Sequence, residues 1–165
     1  MTINLKLQLH LIPRSSFGSN LRNQMGRKWD TLSKQIRTER DFVCDICNRR
    51  KAGRAQTHLH EIWEYKNGIQ KLIGFECVCA TCHSVHHWGL SQIQRKDMNM
   101  LFNWACKINK CDRETFRNHI EESRRIWEYR SDQDWELDLS YLNTMGKVKG
   151  SSDSGLVIKM HRKSR

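Results

Sequence analysis

Proline is almost missing from this chain: Pro13 is the only one in 165 residues. With hydrophobic residues at 38%, that scarcity excludes a collagen-like repeat and argues against a disordered chain. No apolar run approaches the roughly 18 to 20 residues that a membrane-crossing helix requires, so no membrane span is expected. The N-terminus has neither a basic leader nor a small-residue cleavage site, which makes a cytoplasmic chain the expectation. No internal repeat is visible. Acidic residues are also scarce, with 18 Asp and Glu against 29 Lys and Arg and a formal net charge of +11. A charge of that size attracts polyanions, most simply nucleic acid, with an affinity that falls as salt rises. The plainer alternative is a basic protein that is merely soluble.

The length suits one domain with appendages. Ile3, Leu5, Leu7, Leu9 and Leu11 alternate with polar residues, the pattern of a half-buried strand. Met25, Trp29, Leu32 and Ile36 recur at helical spacing, predicting a basic amphipathic helix over 21–40. Up to position 59 there are twelve Lys or Arg against four Asp or Glu, so the first third carries much of the charge. Strand-like runs at 56–65 and 69–77 flank Lys66-Asn67-Gly68, and Asn-Gly between such runs predicts a β-hairpin with a type I′ turn. A helix should begin at Cys79. A second should begin near Ser91 as its cap, burying Ile93, Met98, Leu101, Phe102 and Trp104. A third should start after Asp112, with Phe116, Ile120 and Trp127 inside. The acidic, aromatic stretch from Trp127 to Leu142 reads as a wrap over the core, and 146–165 as a flexible basic tail.

Four of the seven cysteines form two CxxC pairs, Cys44-Asp45-Ile46-Cys47 and Cys79-Ala80-Thr81-Cys82, about 31 residues apart around the predicted hairpin. With nothing to mark secretion, metal binding is a better reading than disulfides. Two knuckles of this spacing supply the four thiolates of a tetrahedral zinc, and a closed four-sulfur site is structural. Chemistry therefore has to come from other residues. His60-Glu61 lies on the first strand of the hairpin, and His83 and His87, spaced i and i+4 on the following helix, share a face that can hold one ion. His86 points elsewhere on that helix.

His58-Leu59-His60-Glu61-Ile62, followed by Cys79-Ala80-Thr81-Cys82-His83-Ser84-Val85-His86-His87, resembles the HNH endonuclease superfamily over about residues 42 to 90. The resemblance lies in a histidine-containing pair on the first strand, a CxxCHxxxH helix, and the order strand, hairpin, helix. It implies an α+β fold: a ββα-metal core stapled by the four-cysteine zinc site, with additional flanking helices. It also implies a catalytic divalent ion, Mg2+ or another, held by His60, His83 and His87. Glu61 takes the place where most relatives carry the histidine that activates water; in an alternative register His60 is the base and Glu61 a ligand or orienter. The asparagine expected near Gly74 is missing. The implied reaction is phosphodiester hydrolysis in DNA, with RNA as an alternative substrate. The ion would neutralise the scissile phosphate while Glu61 or His60 takes a proton from water. Arg49, Arg50, Lys51 and Arg54, after the first knuckle, are candidates to hold flanking phosphates, or form an ordinary solvated loop.

These readings divide the chain into an N-terminal strand and basic helix (1–41), a zinc core (42–90), a helical extension (91–145) and a tail (146–165). Three rivals remain. One is a catalytically silent zinc module that only binds nucleic acid. Another is an interaction or regulatory subunit that docks a partner through the tryptophan-rich wrap from Trp127 to Trp135, with Trp63, Trp88, Trp127 and Trp135 exposed. In the third, the histidines form a second structural zinc site.

Overall fold

A computed structural model describes residues 5–49 and 57–145 of the chain. Ile3, Arg50, Lys51, Arg54, Gln56 and the tail 146–165 lie outside the described residues.

The architecture is α+β around the expected hairpin. Asn67 and Gly68 take φ of 52° and 73°, the left-handed pair of a type I′ turn, which Gly tolerates without strain and Asn tolerates better than most residues. They join β1 (Thr57–Lys66) to β2 (Ile69–Cys79) in antiparallel register. Ile62 pairs with Gly74 but Trp63 pairs with Leu72, so Ile73 is an extra residue, 44% exposed. A bulge of this kind bends the strand and lets each half keep its own inward face. A short β3 (Glu136–Asp138) adds parallel to β2, giving the order β1-β2-β3. Among the described residues β1 is therefore an edge strand.

Paired residues share a face of the sheet. One face, with Leu59, Leu72 and Phe75, buries Leu21, Trp29, Leu32 and Ile36. The other half of the core gathers Leu5, Leu7, Leu9, Val78, Val85, Trp88, Leu101 and Phe116.

The single helix expected over 21–40 is two, α1 (Leu21–Met25) and α2 (Arg27–Glu39). Gly26 between them has φ of 56°, which an α-helix cannot continue through. Trp29, Leu32 and Ile36 are buried as the spacing predicts. α3 (Ala80–His86) starts directly after the second strand, followed by α4 (Trp88–Ile93), α5 (Met98–Asn109) and α6 (Arg113–Ser131). Ser91 is not a cap: it lies inside α4 and its hydroxyl donates to Ser84 O at 2.8 Å. Asp97 caps α5 instead, accepting from Met100 N at 2.9 Å. Ile93, expected inside, is 79% exposed. Asp112 does cap α6, accepting from Thr115 N at 2.7 Å, and Phe116 is fully buried. The stretch read as a wrap begins as the last turn of α6. Beyond it, β3 and a 3-10 turn, Ser140–Met145, close the sheet's first face with Leu139, Tyr141 and Leu142.

The N-terminal alternation predicts burial correctly and structure incorrectly. Leu5, Leu7 and Leu9 are 5%, 0% and 7% exposed, yet no strand forms over 5–12. Burial obliges backbone groups to find partners, but the partner need not be another strand. Asn109 Oδ1 accepts from Leu7 N at 2.8 Å while Asn109 Nδ2 donates to Leu7 O at 2.9 Å. His119 Nε2 accepts from Leu9 N at 3.1 Å, and Trp127 Nε1 donates to Ile12 O at 2.8 Å. One main-chain bond, His10 N to His86 O at 2.9 Å, completes the strap. Asn109→Leu strips both partners from Leu7 and should destabilise the fold by about 2 to 4 kcal/mol. Urea unfolding reads this directly; a change under about 0.5 kcal/mol would mean that water replaces the amide.

No helix among the described residues is long and apolar enough to cross a membrane.

Candidate metal centre

The two CxxC turns meet at the far end of the hairpin. Cys44, Cys47, Cys79 and Cys82 bring their sulfurs within 4.8 Å of one another. Cys47 Sγ and Cys79 Sγ are 3.8 Å apart, the separation of two thiolates on one tetrahedral ion with metal–sulfur bonds of about 2.3 Å. Asn48, at φ 57°, turns the first knuckle, and its N–H donates to Cys44 O at 2.8 Å. Asp45 clamps that knuckle to β2, its N–H donating to Cys77 O at 2.8 Å and its carboxylate accepting from Cys77 N at 2.7 Å. Arg40 pairs with the same carboxylate.

Two further donors face the sulfurs: Cys47 N to Cys44 Sγ at 3.5 Å and Trp104 Nε1 to Cys82 Sγ at 3.4 Å. Without a cation the four thiols share protons unevenly. Cys79 is pulled far down by accepting from Cys44 and Cys82. Hydrogen bonding to Cys79, then burial, lifts Cys44 to about 11, and Cys82 rises for similar reasons. The group can hold a metal ion.

A second constellation lies along β1 and α3. His60, His83 and His87 have donor nitrogens within 4.8 Å of one another. Their ring centroids are 5.5, 4.9 and 4.6 Å apart and their planes cross at 74° to 87°. Imidazoles sharing one tetrahedral ion hold their centroids roughly 5 Å apart, given metal–nitrogen bonds of about 2.1 Å. His83 and His87 form no side-chain hydrogen bonds among the described residues, so their nitrogens are available as ligands.

His10, which the sequence reading did not single out, joins this cluster. His10 Nδ1 and His60 Nε2 are 2.8 Å apart with ring planes only 21° from parallel, an in-line hydrogen bond between nearly coplanar rings. That contact leaves His60 Nδ1 as its free donor. His86 lies flat over both, its plane 14° and 9° from theirs at centroid distances of 4.3 and 4.5 Å. Its own nitrogens turn away, Nδ1 to Gln8 O at 2.7 Å and Nε2 to within 3.1 Å of Glu76 Oε2. The nitrogens of His10, His60 and His86 are also mutually close, but stacked rings do not aim their lone pairs at one point. His10 and His86 thus brace His60, in the manner of the outer partners that orient metal-ligating histidines.

Burial, reinforced by neighbouring imidazoles, depresses the basicity of the whole group. The pKa falls to about 3 for His10, about 2 for His83 and about 4 for His87, and well below the ordinary value for His60. All four are neutral near pH 7, the form that binds metal.

Glu61 alternates with His60 and so leaves β1 on the opposite side. Its Oε1 accepts from Leu21 N at 2.9 Å and its Oε2 from Trp63 Nε1 at 3.0 Å. Burial raises its pKa against the pull of those two bonds. Glu61 and His83 nevertheless line the same two cavities. One, of about 360 Å³, is polar and includes Arg22, Arg37 and His58; the other, of about 810 Å³, is mostly apolar and includes His60 and His87. Gly74 sits inside β2 opposite Ile62, where there is no loop for an asparagine to order.

Of the four basic candidates, only Arg49 is among the described residues. Its guanidinium covers the Trp104 ring at 4.0 Å, and hydrogen bonding to Cys47 raises its pKa. It therefore belongs with the cysteine cluster. Trp88 is 6% exposed and Trp63, Trp127 and Trp135 are half-buried, where the docking alternative expects all four exposed. No sequence signal could have found His10 or Asn109, because their partners lie 50 and 102 residues away. No family model, curated protein or solved structure matches the chain.

Proposed function

We propose that this protein is a metal-dependent endonuclease of HNH type, built on a structural zinc at Cys44, Cys47, Cys79 and Cys82. The observation that carries the reading is the convergence of His60, His83 and His87 at metal-ligand spacing beside two open cavities. A divalent ion held there supplies positive charge to a scissile phosphate and its leaving oxygen. Arg22 in the polar cavity meets the phosphate, and Arg37, whose guanidinium already donates to Ser33 O and Thr57 O, adds positive charge beside it. Glu61 is the better base of the two candidates, because His60 spends one nitrogen on His10 and offers the other to the ion. A carboxylate whose pKa is raised by burial is suited to taking a proton from water. His10 holds the His60 ring in orientation.

Supercoiled plasmid incubated with purified, zinc-loaded protein and Mg2+, Mn2+ or EDTA tests this. Nicking should require the added ion and fall at least about 100-fold in His83→Ala. Glu61→Ala tests the base assignment in the same assay.

Glu61 already accepts two hydrogen bonds, which favours one alternative: a silent module that binds nucleic acid without cutting it. Salt-sensitive binding of the plasmid with no cleavage in any metal would establish that reading instead.

A further inference from the structure

We infer that the larger cavity is a pocket for one unpaired nucleobase, so that the substrate is single-stranded or locally opened nucleic acid; this rests on the reading of the site as acting on nucleic acid.

The cavity, at about 810 Å³, is within the roughly 300 to 1,000 Å³ of small-ligand pockets. It takes residues from both faces of β1 and so follows that strand's unpaired edge. Its walls are apolar and partly aromatic, with Phe17, Trp63 and Trp127 among them. Phe17 stands 62% exposed at its lining and Ile93 79%, a large apolar surface to leave to water. Arg124 is the one arginine in the lining, which includes no lysine. A phosphate backbone would not choose such a surface; a flat heterocycle would, because every base has a face that stacks on aromatic rings.

One buried polar group in its lining lacks a partner among the described residues. Gln70 is 2% exposed and lines the cavity, yet its carboxamide makes no hydrogen bond among the described residues. Ser16 Oγ, also in the lining, is buried, and the group it faces is the phenol oxygen of Tyr65, directly across the hairpin from Gln70. Buried polar groups normally have partners, and the Gln70 carboxamide calls for a ligand that supplies one. A carboxamide offers both a donor and an acceptor, the pairing that reads a base edge. The neighbouring polar cavity has arginines where this one has aromatic rings, and Glu61 and His83 line both. A nucleotide with its base in one cavity and its phosphate in the other would bring the phosphodiester to His83.

Fluorescence anisotropy on the full-length, zinc-loaded protein, without added Mg2+ or Mn2+, tests the pocket. The probes are a labelled thymidine single strand, the same strand with abasic sites, and the matching duplex. The intact strand should bind at least about tenfold tighter than either the abasic strand or the duplex. Gln70→Leu, close in size and apolar, should remove much of that preference while leaving the salt dependence unchanged. Equal affinity for intact and abasic strands overturns the inference, as does an unchanged preference in a folded Gln70→Leu. Should that variant fail to fold, the abasic comparison on the unaltered protein decides. The two readings fail separately. Base-dependent binding without plasmid cleavage sinks the nuclease and keeps the pocket, and cleavage with base-independent binding does the reverse.

Discussion

Withdrawing the ion from the four-cysteine cluster should unfold the region around the hairpin outright. Cys44, Cys79 and Cys82 are fully buried members of the same core as Leu7, Val85 and Phe116, and beyond the sulfurs themselves the first knuckle is tied to β2 by Asp45. Binding of a structural zinc is worth about 10 to 16 kcal/mol, against a total stability of about 5 to 15 kcal/mol for an ordinary domain. Its loss is therefore comparable to the whole stability of such a domain. Chelation followed by circular dichroism should show loss of the cooperative thermal transition and its return on adding zinc back. Cys82→Ser should behave like the chelated protein, since it removes one ligand and leaves Trp104 Nε1 facing a poorer acceptor. A melting curve indifferent to chelation, with elemental analysis confirming removal of the ion, would reject a structural role.

The second large effect is acid instability. An unfolded histidine takes up a proton near pH 6.5, whereas folded His10, His83 and His87 do so only at about 3, 2 and 4, because burial and then neighbouring imidazoles oppose the charge. The unfolded chain thus binds more protons throughout the window from 6.5 down to about 4. Stability is complete above 6.5 and drains as pH falls through that window, at about 1.4 kcal/mol per imidazole per pH unit. Three such groups amount to about 3 kcal/mol between pH 6.5 and 5.5, and His60 changes in the same direction. An ion on His60, His83 and His87 steepens the loss, since protons compete for the same nitrogens. Urea titrations at pH 7.5, 6.5 and 5.5 measure the slope. A midpoint that does not move between 6.5 and 5.5 would mean the imidazoles are already accessible to protons in the folded protein.

What could be read from the chain was local. Asn67-Gly68 announced the hairpin, the CxxC spacing announced the thiolate cluster, and Asp112 announced the start of α6, because in each case the physics is complete within a few residues. Helix register likewise predicted burial of Trp29, Leu32 and Ile36. The misses are long-range. Alternating leucines at the N-terminus specify which side chains go inside, but nothing in them says that Asn109, His119 and Trp127 will take the place of a neighbouring strand. Ser91 and Asp97 are both competent caps, and Asp97 takes the role because the Ser91 hydroxyl is spent on Ser84 O inside α4. The candidate site divides in the same way. His60, His83 and His87 are legible from the period of a strand and a helix. His10 arrives from a strap whose path is set by the helical extension, and the two cavities are made by elements that the sequence presents separately.

The strap also has a consequence in time. Leu7, Leu9 and Ile12 find their partners 102, 110 and 115 residues further along the chain. During synthesis the N-terminus emerges first and waits longest, since Trp127 leaves the ribosome only after the hairpin and both knuckles are complete. The thiolate cluster can capture its ion early, while His10 reaches His60 last. A ribosome-bound chain ending before α6 should accordingly hold an ion at its cysteines and lack a braced histidine cluster, so the histidines are the last part of the site to be assembled.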